Sequence, residues 1–279
     1  MNGLLYLMYN SALEISIGWD KMITGLSEPA RLVNVDNAST DNCVDILTRA
    51  GYIVDVNEEN VGFTAGINQG IRQLLDYEVE GWIFIINPDV ICLDNWDISL
   101  TEPLCKNPRC GIVGAKLVSP NGNISHSGGK IVAEKSLMKW PIAYSVGYGK
   151  NVVVEEAFCT TTFIADTEDF SEPKRSAWVS FSVVALNVDM VRDIGLLDES
   201  YFLYGSDMDY CVRAWDRGWE VWSSPSGFTH LRHDTIQRAP RQVQRKAKHD
   251  MALFTSKEEE LWPQLPEDLQ PKMTLPSSR

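Results

Sequence analysis

Five consecutive apolar residues, Trp82-Ile83-Phe84-Ile85-Ile86, run into the turn Asn87-Pro88-Asp89, and no other stretch narrows the fold as much. A run this short, rich in bulky and β-branched side chains and stopped by a proline, predicts a strand buried on both faces rather than a helix. Such strands belong to the centre of parallel sheets, where helices cover both sides. Asp89 then falls just past the carboxyl end of the strand, the position at which open α/β sheets bind their ligands. A turn-capping role after Asn-Pro is an equally good reading of that one residue.

The surrounding residues fit such a sheet. Residues 4–8 and 31–35 are further short apolar runs. Tyr9-Asn10 and a polar segment follow the first, and Asp36-Asn37-Ala38-Ser39-Thr40-Asp41 ends the second. Thr40 or Asp41 can cap a helix carrying Val44, Ile46 and Leu47, which Gly51 terminates. Residues 52–56 alternate as a third strand, and residues 60–75 read as a loop and a helix. The resulting order, β-α-β-α-β-α-β, predicts parallel strands joined by right-handed crossovers, a nucleotide-binding type of half-domain.

Further along, residues 112–118 and 178–186 read as strands, with a hairpin turn at 120–123. Residues 188–194 and 207–217 read as helices closed by Gly195 and Gly218, and residues 219–222 as a last short strand. Periodicity fades over 134–174, and structureless stretches of that length in compact domains serve as lids or binding loops; acceptor recognition is expected there. Arg238, Arg241, Arg245, Lys246 and Lys248 form a basic helical stretch with a solvated face, followed by proline-rich residues from Pro263. The expected organisation is one α/β domain over 1–235 and a basic stretch with a tail over 236–279.

With 44% hydrophobic residues the 279-residue chain can bury a large core, and its net charge of −13 argues against sequence-independent binding to nucleic acid. Cys43, Cys92, Cys105, Cys110, Cys159 and Cys211 lack any Cys-x-x-Cys spacing. Buried thiols in a reducing compartment are expected, not a zinc site or a disulfide framework. The amino terminus lacks a basic, cleavable leader, and no stretch reaches the roughly 18 to 20 apolar residues that cross a bilayer. A cytoplasmic protein with at most peripheral membrane contact is expected.

Several side chains could carry chemistry. Asp36, at a strand end, can accept hydrogen bonds from a nucleobase or ribose, although an Asx-turn serves as well. Gly62, Gly66 and Gly70 leave one helix face bare, able to press on a strand or a ligand, in a pattern that is neither G-x-G-x-x-G nor a P-loop. Asn87 and Asp89 offer two oxygens on one turn, enough for Mg²⁺ or Mn²⁺ that keeps waters and takes other ligands from a diphosphate. His230 could add an imidazole, with His233 three residues on. Asp207 and Asp209 open a helix about 200° apart on its wheel, so only one of them can face a cleft. Asp209 can pair with Arg213 one turn later.

These pieces, in this order, resemble glycosyltransferase family 2, the inverting enzymes of GT-A fold, and most closely its rhamnosyltransferase-like branch. The matching stretches are Met8-Tyr9-Asn10, Val35-Asp36-Asn37-Ala38-Ser39-Thr40-Asp41, the segment 60–70 around Gly62-Phe63-Thr64-Ala65-Gly66, and Asn87-Pro88-Asp89. Pro120-Asn121-Gly122-Asn123-Ile124-Ser125-His126-Ser127-Gly128-Gly129, Gly195-Leu196-Leu197-Asp198-Glu199, Asp207-Met208-Asp209 and His230 continue the series. The resemblance implies a nucleotide contact for Asp36 and a donor pocket shaped by Asn60, Gly62 and Asn68, with Asn87 and Trp178 on the donor side. It further implies metal ligation by Asp89 and His230 and a general base at Asp207.

Three departures stand out: Asn87 for the first Asp of the family's metal motif, Ser206 for the Glu before the base, and Phe181-Ser182 for a common Gly-Ala. The implied function is metal-dependent inverting transfer, with Mn²⁺ or Mg²⁺, from a UDP- or dTDP-sugar to a saccharide or lipid-linked acceptor in polysaccharide synthesis. The alternatives are a non-catalytic nucleotide-sugar or glycan-binding module, or a transferase acting on a non-carbohydrate acceptor such as modified nucleic acid.

Overall fold

The computed structural model describes residues 1–104, 106–122, 124–133, 141–147, 164–165, 171–231, 241–261 and 265–269. Most of the 134–174 stretch, Arg238 and His233, and the tail beyond 269 lie outside the described residues. Trp82–Ile86 forms β4, buried almost throughout, at the middle of a ten-stranded sheet. On one side lie β1 (Gly3–Met8), β2 (Arg31–Asp36) and β3 (Asp55–Val56), all parallel to it. On the other lies β12 (Val183–Asn187), antiparallel to β4. Next come β6 (Cys110–Val118), antiparallel to β12, and β13 (Glu220–His230), parallel to β6. β5 (Val90–Ile91) pairs with β13, and β7 (Ile124–His126) with β6. A smaller sheet joins β8 (Gly129–Ala133), β9 (Pro141–Gly147) and β10 (Ile164–Ala165), and β11 (Lys174–Arg175) edges the large one.

The helices cover both faces and give the sheet two cores. α1 (Ala12–Thr24), α2 (Cys43–Arg49) and α4 (Trp96–Thr101) contribute Ile15, Trp19, Met22, Leu47, Trp96 and Leu100 to one, against Leu4, Tyr6, Phe84 and Ile86. α3 (Phe63–Asp76), α5 (Val188–Ile194) and α6 (Ser206–Asp216) contribute Ile67, Ile71, Met190 and Tyr210 to the other, against Leu5, Leu7, Ile83 and Ile85. Alternate residues of β1 and β4 thus point to opposite cores, which is why those strands read as continuous apolar runs. On α3 the bare glycine face does what its spacing predicts: a Cβ on Gly70 would sit 2.0 Å from Leu5 Cδ1 and one on Gly66 2.7 Å from Leu7 Cδ1. The helix therefore lies against β1 backbone-close.

The polar segment after β1 is the helix that the predicted order places there, α1, whose polar residues mask a buried stripe of Ile15, Trp19 and Met22. Other expectations need correcting. The strand at 52–56 shortens to Asp55–Val56 because only its last two residues reach β2. The strand over 178–186 begins only at Val183; Trp178 makes a single bridge to Gly129, and residues 179–182 cross the end of the sheet as irregular backbone. The short strand at 219–222 instead runs on to His230. Its register against β6 shifts between Ser223 and Gly227, a bulge that takes up Pro225.

The basic stretch is α7 (Arg241–Leu261), and it is more than a solvated face. Arg241 and Arg245 are exposed, but Ala247, Asp250 and Phe254 are buried, and Phe254 and Leu265 join the core beneath α3 and α6. Burial of the Phe254 ring alone contributes about 1.5–3 kcal/mol. Cys43, Cys92, Cys110 and Cys211 are free and buried, as expected, and burial pushes the first three thiols up to about 12.

Candidate active site

The carboxyl ends of β1, β2 and β4 lie side by side, since Met8 pairs with Asp36 and Tyr6 with Ile86. Asp36 and the Asn87-Pro88-Asp89 turn therefore share one edge of the sheet, two strand spacings or roughly 10 Å apart. Opposite them β13 delivers His230, which pairs with Val90. His230 Nε2 stands 3.3 Å from Asp89 Oδ2, and both side chains are largely buried. The Leu231 amide also donates to the Asp89 carbonyl at 2.8 Å. Residues 141 positions apart are thus joined by one antiparallel pairing.

Two ligands bound at about 2.1 Å and at right angles on an octahedral ion lie about 3 Å apart, close to the observed spacing. The Asp89–His230 pair fits a divalent cation on this measure. No group of three or more His, Cys, Asp or Glu side chains that could hold a metal occurs among the described residues. The remaining ligands of an ion here would have to be waters or ligand oxygens. Asn87 faces elsewhere: its amide nitrogen donates to Ser182 Oγ at 3.4 Å and its backbone N–H to the Ser182 carbonyl at 2.9 Å. Two of the departures from the family pattern, Asn87 and Ser182, therefore touch each other.

Asp207, the second residue of α6, is partly buried against this same crossing segment. Its carboxylate accepts hydrogen bonds from the Met208 amide at 2.9 Å and from the backbone of Phe181. Burial raises Asp207 from 3.8 to about 6, and those backbone hydrogen bonds only partly oppose it. Desolvation outweighs the helix dipole here. Asp209, on the opposite face, is buried and bonded to Arg213 Nε at 2.9 Å, as its spacing predicts. Ser206, the third departure, is buried at the helix start.

His126 was inside a matched stretch but had no role assigned by sequence. Its Nε2 accepts the Ser180 amide at 3.0 Å, and burial, reinforced by nearby His230, pulls the imidazole down to about 3, so it stays neutral. Ser180, Phe181 and Ser182 are thus held in turn by His126, Asp207 and Asn87. The following Gly128-Gly129 pair explains the spacing of that motif: a Cβ on Gly129 would lie 2.0 Å from Trp178 Nε1. Trp178 is 6% exposed and packs 5.0 Å from the His126 ring, so it cannot step aside. Trp178 therefore braces the 126–129 segment. Gly129→Ala is expected to cost roughly 1–3 kcal/mol, read as a lower urea midpoint at unchanged slope.

The other expected donor residues divide into two groups. Asn60 accepts the Gly62 amide at 2.9 Å, and Asn37 donates to the Gly62 carbonyl at 2.8 Å. Gly62 has φ +94°, and a Cβ on it would meet the Phe202 carbonyl at 2.5 Å, so this turn admits no side chain. Asn60 and Gly62 therefore shape a loop beside the strand ends. Asn68 does not join them. Its side chain bonds the Leu197 amide and carbonyl and Glu199, tying α3 to the loop before α6. Asp36 is fully buried, with its carboxylate on the Ser39 amide at 2.8 Å, the Ser39 hydroxyl and Cys43. It folds the 36–41 loop, in which Ala38 is held at φ +57°, and Asp41 of the same loop caps α1 through Ala12 at 2.8 Å.

A mixed sheet thus carries an acid–imidazole pair at its strand ends, with a raised carboxylate held by the crossing segment that Asn87 also bonds. Residues 8–163 match the model of Glycosyl transferase family 2, and the chain belongs to that family: it is a glycosyltransferase. It is 24% identical over 220 residues to N-acetylglucosaminyl-diphospho-decaprenol L-rhamnosyltransferase of Mycobacterium tuberculosis, covering 74% of this chain and 68% of that one. The fold is similar to mannosyltransferase PcManGT from Pyrobaculum calidifontis, solved with GDP-Man and Mn²⁺, at TM-score 0.57 and 13% identity, over 93% of this chain and 64% of that one. It is also similar to GalNAc-T7, solved with UDP, GalNAc and Mn²⁺, at TM-score 0.56 and 14% identity, over 93% and 51%. The chain thus spans about half to two thirds of the length of these two solved structures.

Proposed function

We propose that this chain is a metal-dependent inverting transferase that moves a sugar from a nucleoside-diphosphate donor to a hydroxyl of a saccharide or lipid-linked saccharide. The observation that carries the reading is the 3.3 Å approach of Asp89 and His230 at the strand ends, with a carboxylate raised to about 6 held by the crossing segment that Asn87 also bonds. A UDP- or dTDP-sugar such as dTDP-rhamnose is the proposed donor. The lipid-linked acceptor is supported by the mycobacterial relative's name. No helix among the described residues is long and apolar enough to cross a membrane.

Asp89 and His230 would hold Mn²⁺ or Mg²⁺, which supplies charge neutralisation for a departing diphosphate. Asp207 takes the proton of the acceptor hydroxyl as its oxygen attacks the anomeric carbon. The bond from that carbon to the diphosphate oxygen breaks, its electron pair leaves with the nucleoside diphosphate, and the configuration inverts. The Phe181 amide keeps the base aimed from the crossing segment. A base titrating at about 6 combines adequate proton affinity with predominant ionisation in neutral solution.

The pH profile tests the assignment. Only ionised Asp207 can accept a proton, so turnover rises with pH through about 6 and levels off above it. A flat profile between pH 5 and 8, once the donor is saturating, would remove Asp207 from this role.

A further inference from the structure

Asp250 lies in the middle of α7, is 1% exposed, and has no place in the chemistry above. Its carboxylate gathers three consecutive backbone amides: Oδ1 accepts from Phe202 at 2.8 Å, and Oδ2 accepts from Leu203 at 2.7 Å and Tyr204 at 3.1 Å. A buried carboxylate is costly unless its oxygens are saturated by donors, and successive amides curled round an anion saturate them well. The clamp closes on the segment that leads into the helix of the base. Gly205, next in sequence, has φ +84° and threads between the Tyr201 ring and Phe254 of α7, where a Cβ would lie 3.1 Å and 3.3 Å from them. Its carbonyl accepts the first helical bond of α6, from Asp209 at 2.9 Å.

The same loop faces the strand ends on its other side. The Phe202 carbonyl accepts the Phe63 amide at 2.7 Å, beside the turn at Gly62. Around the clamp, Lys246 sits 4.2 Å over the Phe202 ring, and Lys257 sits 4.7 Å over the Tyr201 ring while pairing with Asp198. α7 therefore grips residues 198–205 at several points, and Asp250 holds their backbone. Fixing the amides of 202–204 fixes both the carbonyl that seats the Asn60–Phe63 loop and the residue from which Asp207 projects.

We propose that Asp250 is a positioning residue for sugar transfer: it locks the 202–204 loop so that the base helix and the Gly62 turn keep their mutual geometry. The proposal rests on the transferase reading. Misplacing a base by about 1 Å costs up to 10²-fold, so Asp250→Ala in the full chain should lower kcat by at least about tenfold. Exchange of the Phe202, Leu203 and Tyr204 amides should rise by a similar factor. Asp250→Asn keeps one acceptor oxygen and should fall between Ala and wild type in both readouts. If Asp250→Ala fails to fold, the Asn variant decides by the same two readouts. Folded Asp250 variants with wild-type kcat, or with unchanged protection of the three amides, would overturn the proposal. Absence of donor turnover in the wild-type chain would instead sink the transferase reading itself, and this inference with it.

Discussion

Asp207→Asn is expected to lower sugar transfer by about 10²–10⁴-fold, the usual contribution of a positioned general base, while leaving nucleotide-sugar affinity within about threefold. The amide keeps the side chain's size and can still accept the Met208 and Phe181 amides, but it cannot take a proton from an acceptor hydroxyl. The same variant should be no less stable than wild type at pH 7.5. Asp207 is raised from 3.8 to about 6 in the folded chain. Its contribution to stability is therefore fully present below its unfolded value and is lost as pH rises through about 6. Above that pH an ionised, desolvated carboxylate weighs against folding, and Asn removes it. Transfer at wild-type rate, or a clear fall in unfolding midpoint, would contradict the assignment.

Asp89→Ala should have the second large effect: loss of divalent-metal stimulation and a fall in turnover of two orders of magnitude or more, of the size expected when the group neutralising a leaving diphosphate is lost. His230, left without Asp89, offers a single imidazole ligand and no anionic oxygen, too little to hold Mn²⁺ or Mg²⁺. Calorimetric titration of Mn²⁺ into the chain with UDP or dTDP present reads this directly. Binding to the Asp89 variant as tight as to wild type would place the metal elsewhere. Asn87, bonded to Ser182, should matter less: Asn87→Ala would loosen the crossing segment without removing a metal ligand.

What sequence could and could not reveal follows the range of the interactions involved. β4 and Asp89 were legible because burial on both faces leaves an unbroken apolar run, and a proline marks where it ends. The glycine face of α3 was legible because close approach to β1 forbids side chains at a fixed spacing. Asp209 with Arg213 was legible as a pair one helical turn apart. His230 follows Ser223-Ser224-Pro225-Ser226-Gly227, which has turn composition; only pairing with β6 makes that stretch a bulge within one strand.

Asn68 shows the opposite limit. The family resemblance implies a donor pocket for it, while the fold spends its side chain on Leu197, 129 residues away, and nothing local encodes that contact. Asp36 likewise spends its carboxylate on its own loop, the bland reading of any Asp at a strand end. Asp250 was hidden for a different reason: inside a basic helix an acid reads as charge balance, and the three amides it collects become neighbours only after folding. The departures at Asn87 and at Phe181-Ser182 looked independent in sequence, but the fold brings Asn87 and Ser182 into contact.

The central claim is that Asp89, His230 and Asp207 form one site that cleaves a nucleoside-diphosphate sugar. Incubating the full chain with Mn²⁺ and a panel of UDP-, dTDP- and GDP-sugars, and measuring nucleoside diphosphate release, tests it without a known acceptor. Slow release from at least one donor, abolished by EDTA and by Asp89→Ala, is the predicted result. No release from any donor, or release indifferent to EDTA and to Asp89, would contradict it.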